Sequence, residues 1–175
     1  MRDGTHVTVF GTSLNPHSRS YGLAVAAERV LAGRGVPVTL VDLREHRLPE
    51  CGRDGSYDDP AVNDLRALAA RSSHLVFAAP VYNFQLGSGS KNLVELIGRG
   101  GLEGKTVGLL CSAGGRRSYM APMTFANALM LDFRCWIVPR FVFGVPDDFD
   151  DDGAIANPAL VERVEAMIGD LLSRA

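Results

Sequence analysis

The chain has 175 residues, 46% of them hydrophobic and 22% charged, the proportions of one soluble globular domain with a substantial core. Its formal net charge of −2 offers no basic field for nucleic acid, and its arginines are scattered. Cys51, Cys111 and Cys135 lie far apart with no Cys-x-x-Cys pair, which argues against a disulfide framework or a zinc site and fits reduced thiols in a cytoplasm. Residues 1–6 carry no apolar targeting region, and no apolar run reaches the length of a membrane span, so a soluble, unexported protein is expected.

Residues 7–10 have the β-branched, apolar pattern of a strand buried on both faces, and Gly11 ends it where the backbone must turn. The strand empties into a hydroxyl-rich turn carrying Thr12, Ser13, Ser18 and Ser20, with Arg19 among them. Unpartnered amides at the start of the following helix, the helix dipole and the guanidinium make this turn an anion cradle suited to a phosphate, with Ser18 also placed as an N-cap. The helix is predicted over 21–33, where Leu23, Ala24, Ala27, Val30 and Leu31 recur at helical spacing before a Gly-Arg-Gly stop. Residues 36–43 form a second strand, and Pro37 near its beginning suits a sheet edge.

Residues 44–59 are charged and aperiodic, which predicts a mobile loop, and Asp59-Pro60 caps a second helix to about Arg71. A third apolar strand spans 75–79, a second long turn 80–90, and a helix 91–98. A fourth strand over 106–111 runs into Ser112-Ala113-Gly114-Gly115, followed by a helix over 118–131 and a fifth strand over 135–144. An acidic, solvated turn over 147–152 leads to a last helix, whose stripe runs from Leu160 to Leu172.

Five strands alternating with five helices predict an α/β fold, a single flavodoxin-like domain built on a doubly wound five-stranded parallel sheet in the order 2-1-3-4-5. Ligands bind such sheets at the switch point between the first and third strands, and the three unusual turns are those that follow strands one, three and four.

Other signals are weaker. The 98–106 stretch resembles a phosphate-binding P-loop, but Arg99 stands where the first glycine belongs and a strand follows instead of a helix. The aspartates of 148–152 echo a calcium loop that lacks its final glutamate, since Ala159 holds that position. Cys111 and Cys135 sit in strand-like apolar contexts that suit core packing better than nucleophilic work. His6, His17, His46 and His74 have no metal-ligand spacing, and His17 reads as an exposed turn residue. No metal site is expected.

The first turn offers hydroxyls, amides and Arg19; the second offers Pro80, Val81, Tyr82, Asn83 and Phe84; the third offers Ser112, Ala113, Gly114 and Gly115, whose glycines let a flat ring approach the backbone. Together they describe a site for FMN. A dinucleotide in that place is disfavoured, because no Gly-x-Gly-x-x-Gly follows the first strand and Asp42 lacks that partner motif.

At Ser18-Arg19-Ser20, at Pro80-x-Tyr82-Asn83 with Lys91-Asn92, and at Ser112-Ala113-Gly114-Gly115, the sequence resembles the NAD(P)H-dependent FMN reductase family of the flavodoxin-like superfamily. The resemblance implies that the first turn binds the FMN phosphate, that residues 80–84 line the isoalloxazine, and that residues 112–115 meet its pyrimidine edge. It further implies an oxidoreductase passing hydride from NADPH or NADH through FMN to a small acceptor by a ping-pong route, with no side chain needed as acid or base. Flavin, quinone, azo and nitro compounds and metal oxyanions all remain open as acceptors. An FMN electron carrier of the flavodoxin type, acting with protein partners, is the alternative. The family pattern has arginine soon after the first turn begins, where this chain has Leu14-Asn15, leaving Arg19 as the cation; the stretch after Tyr82-Asn83 also departs from the usual small residues. A homodimer or homotetramer is implied as well, with Phe125, Leu129, Met130, Phe133, Trp136 and residues 141–143 supplying apolar surface. Arg116 and Arg117, read as preceding a helix N-terminus, are expected to meet the phosphates of NADPH.

Overall fold

The computed structural model describes residues 4–174; residues 1–3, part of the N-terminal stretch considered above, and residue 175 lie outside the described residues. In chain order the elements are β1 (Val7–Gly11), α1 (Arg19–Gly33), β2 (Val38–Asp42), α2 (Pro60–Arg71), β3 (His74–Tyr82), β4 (Gln85–Leu86), α3 (Ser88–Ile97), α4 (Arg99–Leu102), β5 (Thr106–Ser112), α5 (Pro122–Phe133), β6 (Trp136–Ile137), β7 (Val142–Gly144) and α6 (Pro158–Leu172).

The sheet runs β2-β1-β3-β5-β6, with β7 also on β5, and each of these pairings is parallel. This is the expected doubly wound order, altered in detail. The fifth place is shared by two short strands, β6 against Thr106 and Val107 and β7 against residues 110–112, where one continuous strand was expected. Pro139, which has no N–H to give to a ladder, falls in the gap between them. A second difference is β4, which turns back antiparallel on the end of β3.

Strand residues alternate between two cores. Val9, Val76, Ala78 and Leu110 face α1 and α6, where Leu23, Ala27, Met167 and Ile168 cover them. Phe10, Phe77, Leu109 and Cys111 face the opposite way, under α2, α3 and α5. Phe10 and Phe77 stack at 5.3 Å between ring centroids, and Phe125 meets Phe77 edge-on at 5.6 Å. Among the described residues no helix is long and apolar enough to cross a membrane.

Four expectations are corrected. Phe125, Leu129, Phe133 and Phe143 are buried in the protomer's own core, and of the residues read as contact surface Met130 and Trp136 are strongly exposed. The 44–59 loop is pinned: Asn92 on α3 accepts from the Cys51 N–H at 2.8 Å and donates to the Pro49 carbonyl at 2.9 Å, while Arg66 on α2 donates to the Tyr57 carbonyl at 3.2 Å. Asp148 of the acidic turn is buried; its carboxylate accepts from the Val145 N–H at 2.9 Å and from Asn157 Nδ2 at 2.7 Å. The fourth long crossover helix starts at Pro122, so Arg116 and Arg117 sit in a separate single turn of 3-10 helix, Arg116–Ser118.

Candidate active site

The carboxyl ends of β1, β3 and β5 lie side by side, because Gly11 pairs with Ala78 and Pro80 pairs with Ser112. The turns that follow these strands meet in one cleft of about 220 Å³. Ser13, Ser18 and Arg19 line it from the first turn, Pro80, Val81 and Tyr82 from the second, and Ser112, Ala113 and Gly114 from the third. A larger cavity of about 700 Å³ runs along the outer side of α1, but of these three turns it touches only the first, at Pro16 and Ser18. Convergence of chemistry, not size, identifies the site.

The first turn is built from successive side-chain to backbone bonds. Ser13 Oγ accepts from the Asn15 N–H at 3.2 Å, Asn15 Oδ1 accepts from the His17 N–H at 3.0 Å, and Ser18 Oγ accepts from the Tyr21 N–H at 3.2 Å as the N-cap of α1. Each serine is used as an acceptor, so its own O–H remains able to donate; Ser18 and Ser20 also share a hydroxyl contact of 2.9 Å. The N–H groups of Arg19 and Ser20, in the first turn of a 15-residue helix, have no intrahelical acceptor. The outcome is a concave set of neutral donors with one exposed guanidinium, the donor set that a phosphate monoester requires.

Two expected site residues act from behind. Thr12 gives its N–H to Ala78 O at 2.9 Å, and its hydroxyl contacts Ala78 O at 3.2 Å and Ser90 Oγ at 2.6 Å. Ser20 is fully buried. Both are absent from the cleft lining, because their hydroxyls tie the turn to β3, α3 and Ser18. The close fit of α3 depends on Gly89, where a Cβ would come within 2.6 Å of the Thr12 carbonyl oxygen.

The second turn is mostly strand. Pro80 extends β3 beyond its last pairing with β1, where a missing N–H costs nothing, and its carbonyl accepts from Gly87 N–H at 2.8 Å to close the hairpin. The hairpin's two central residues, Asn83 and Phe84, both have positive φ, 50° and 63°. Asparagine tolerates this conformation. Phenylalanine does not, and the left-handed region costs such a residue roughly 1–2 kcal/mol. Phe84 is 60% exposed and Tyr82 54% exposed, so the core does not hold either ring. Both stand at the rim, and Gln85 Oε1 braces the hairpin by accepting from Thr124 Oγ1 of α5 at 2.7 Å.

In the third turn Ala113 gives its N–H to Gly144 O at 3.0 Å, so the amides left to serve a ligand are those of Gly114 and Gly115. A Cβ built on either glycine meets no protein atom within 4 Å. A flat ring laid against that backbone fits, and with the donor set of the first turn the site suits FMN. Beyond it the side chains of Arg116 and Arg117 make no hydrogen bond or ion pair with the described residues, while the Arg116 carbonyl accepts from the Tyr119 N–H at 3.3 Å. Arg116 has a counter-charge nevertheless: burial works to raise the Asp148 carboxyl, but its hydrogen bonds, together with the charges of Arg116 and Arg163, hold it below the ordinary carboxylate value.

Features not anticipated from the sequence complete the picture. Asn15 and His17 line the cleft. Asp42, at the end of β2, holds Arg44 through both carboxylate oxygens, with Arg44 Nε donating at 2.8 and 2.9 Å. Arg44 then donates from Nη1 to the Pro16 carbonyl at 2.9 Å and lies 4.6 Å from the Tyr21 ring centroid. Burial opposes ionisation of Asp42, and the Arg44 hydrogen bonds and charge override it, keeping that carboxyl below its usual value. The i, i+2 spacing of Asp42 and Arg44 was visible in the sequence; their reach to Pro16 was not. The buried cysteines are unsuited to nucleophilic work, since burial pushes the Cys135 thiol up to about 11 and Cys111 higher still.

This geometry has counterparts. An NAD(P)H-dependent FAD/FMN reductase of Geobacillus thermodenitrificans is 22% identical over 138 residues, covering 78% of this chain and 75% of its own. Among solved structures, an oxidoreductase from Corynebacterium diphtheriae superposes with a TM-score of 0.76 at 19% identity, covering 97% of this chain and 95% of its own. The flavoenzyme FerB of Paracoccus denitrificans, an NAD(P)H:(acceptor) oxidoreductase, does so with a TM-score of 0.75 at 19% identity, over 97% and 98%. Structural likeness at such identities speaks for the fold. The family model described as NADPH-dependent FMN reductase matches residues 5–150, which include all three turns, and this chain therefore belongs to that family of flavin-dependent oxidoreductases.

Proposed function

We propose that this protein is a cytoplasmic reductase that holds FMN in the cleft of the three turns and passes hydride from NAD(P)H to a small acceptor in two separate half-reactions. The observation that carries this reading is the convergence of Ser13, Ser18 and Arg19 with Tyr82 and Gly114 in a single cleft. The chemistry FMN supplies when bound is hydride uptake from a nicotinamide and delivery to the acceptor.

The chain's own residues bind and orient. Hydroxyls of Ser13 and Ser18, the amides of Arg19 and Ser20, and the Arg19 guanidinium hold the phosphate; Gly114 and Gly115 let the ring lie on the backbone and offer their amides to its polar edge. Pro80 and Val81 form the wall, and Tyr82, Asn83 and Phe84 cover the rim and exclude water. That aromatic rim favours flat acceptors such as flavins, quinones, azo or nitro compounds.

Arg116 and Arg117 stand beyond Gly115, where an entering dinucleotide passes. Both are proposed to meet its phosphates, with NADPH favoured over NADH, and Arg117, which has no counter-charge comparable to Asp148, carries the larger share. A homodimer or homotetramer is proposed too. Its apolar surface is supplied by Met130 and Trp136, which stay exposed, together with exposed Tyr119, Met120 and Met123, in place of the phenylalanines that the core has absorbed.

Visible spectroscopy of the purified protein with added FMN, followed by anaerobic NADPH, tests the reading. Bleaching by NADPH, recovery of colour with a quinone, and parallel double-reciprocal plots are the expected results. Absence of flavin binding refutes the site assignment, intersecting plots refute the two-step order, and recovery only with a protein partner points to an electron carrier.

A further inference from the structure

Ser18, the N-cap of α1, lines the cleft of the three turns and also the larger cavity of about 700 Å³ on the outer side of that helix. The two spaces therefore share a residue at the phosphate cradle. Ser18, Gly22, Val25, Ala26 and Arg29 recur at spacings of three and four, so one face of α1 forms one wall of this groove. Residues 153–155 and Val161 of α6 form the other. The walls meet at Gly22, where a Cβ would lie 2.0 Å from the Gly153 carbonyl oxygen, and neither glycine carries a side chain that fills the groove. Ser18 to Ala26 is about 12 Å of helix. A second phosphate, a ribose and a purine extended from the first phosphate cover such a length.

The charges of the groove are unevenly used. Arg29, Arg34 and Arg44 line it with Asp152 and Glu165. Arg44 is committed to Asp42 and the Pro16 carbonyl, and Arg34 donates to the Glu165 carbonyl at 3.0 Å. Arg29 is exposed, and its side chain makes no hydrogen bond or ion pair with the described residues. Long side chains on a helix lean toward its N-terminus, so the reach of Arg29 lies over the turn that precedes it. The cleft adds a second observation. Arg19 is the one arginine or lysine among its lining residues, whereas a phosphate monoester carries close to two negative charges near neutral pH. Each phosphate of a pyrophosphate diester carries one. A cradle with a single permanent cation, continued by a groove with an unpaired one, matches that spread charge.

We infer that the groove is a nucleotide subsite, and that this protein takes FAD as well as FMN. The flavin and its first phosphate occupy the cleft in both cases. The adenylate half of FAD lies along α1, with Arg29 meeting its second phosphate or purine, Val25, Ala26 and Ile155 flanking the base, and the Asp152 carboxylate accepting from ribose hydroxyls. The inference rests on the flavin assignment proposed above and extends it beyond the mononucleotide.

The test is calorimetric titration of FAD, FMN and riboflavin against the wild-type protein, Arg29→Ala and Val25→Glu. Wild type is expected to hold FAD at least as tightly as FMN. Arg29→Ala should weaken FAD about fivefold, the loss of one exposed charge-assisted contact. Val25→Glu, which sets a carboxylate against the second phosphate, should weaken it at least tenfold. FMN should stay within about twofold of wild type in both variants, which also shows that each is folded. Wild type that holds FAD more weakly than FMN, or variants in which the ratio of FAD to FMN affinity is that of wild type, overturns the inference while leaving FMN binding intact. Wild type that binds neither nucleotide better than riboflavin overturns the phosphate cradle, and the inference with it.

Discussion

Replacing Arg44 with methionine keeps the apolar stem over Tyr21 and removes the guanidinium. Three losses follow: the bond to the Pro16 carbonyl at 2.9 Å, the cation over the Tyr21 ring at 4.6 Å, and the partner of Asp42, whose side chain is only 9% exposed. At about 1 kcal/mol for the bond, roughly 0.5 for the cation, and roughly 1–3 for leaving a buried carboxylate unpaired, the total is about 2.5–4.5 kcal/mol at neutral pH. For a chain of this size that lowers Tm by roughly 5–18 °C. Freeing Pro16 also loosens the phosphate turn, and FMN should bind about fivefold more weakly, the equivalent of the ~1 kcal/mol bond.

The pH dependence is the sharper test. In the native protein Asp42 is held below its ordinary value, so its stabilising contribution is complete above the unfolded-chain value and is lost as pH falls through the folded one. In the methionine variant the backbone N–H of residue 44 still donates to Asp42, but the guanidinium bonds and charge that opposed burial are gone, so the carboxyl lies higher than in wild type. The part of the stabilisation that acid removes is correspondingly smaller in the variant. Denaturant-derived stability of wild type minus variant should therefore shrink steadily as pH falls through the carboxylate range, and Asp42→Asn combined with Arg44→Met should recover about half the loss at pH 7. Parallel profiles, or a double variant no better than the single one, would refute the brace.

Three further outcomes are expected. Gly114→Val should leave the apo-protein's Tm within about 2 °C, since its Cβ meets no protein atom, while weakening FMN at least tenfold in fluorescence titration because the added methyls occupy the ring's place. Phe84→Gly should match or exceed wild-type stability in urea, as relief of roughly 1–2 kcal/mol in the left-handed region offsets glycine's entropy cost, and should raise KM for aromatic acceptors severalfold. Arg117→Ala should raise KM for NADPH about tenfold and for NADH little, with Arg116→Ala the milder of the two and FMN content unchanged in both.

What the sequence made legible was local. The apolar run of β1, the Ser18 N-cap, the Asp59-Pro60 cap and the stripe of α6 are set by neighbours a few residues away, and the structure reproduces each. The extension of β3 through Pro80 to Tyr82 was hidden because proline and a polar rim look like a loop; its pairing comes from β5, distant in sequence, and from β4 across a two-residue hairpin. The break between β6 and β7 had a visible cause in Pro139, but the apolar residues on both sides outweighed it. The large phenylalanines of α5 looked like spare surface because the aromatic core they join, Phe10 and Phe77, is assembled from strands far upstream.

The least legible device is also the one that shapes the site. A carboxylate at the end of the second strand stands where a dinucleotide-binding sheet would hold a ribose hydroxyl. Here Asp42 is occupied by Arg44 two residues later, and the pair spends its charge internally while Arg44 reaches across to Pro16. Two consequences follow from one contact. The position from which a ribose would be gripped is closed, which accords with a mononucleotide in the cleft, and the phosphate turn is held by a cation that no longer serves the phosphate. The turn is then left with neutral donors and Arg19 as the groups it can offer a phosphate.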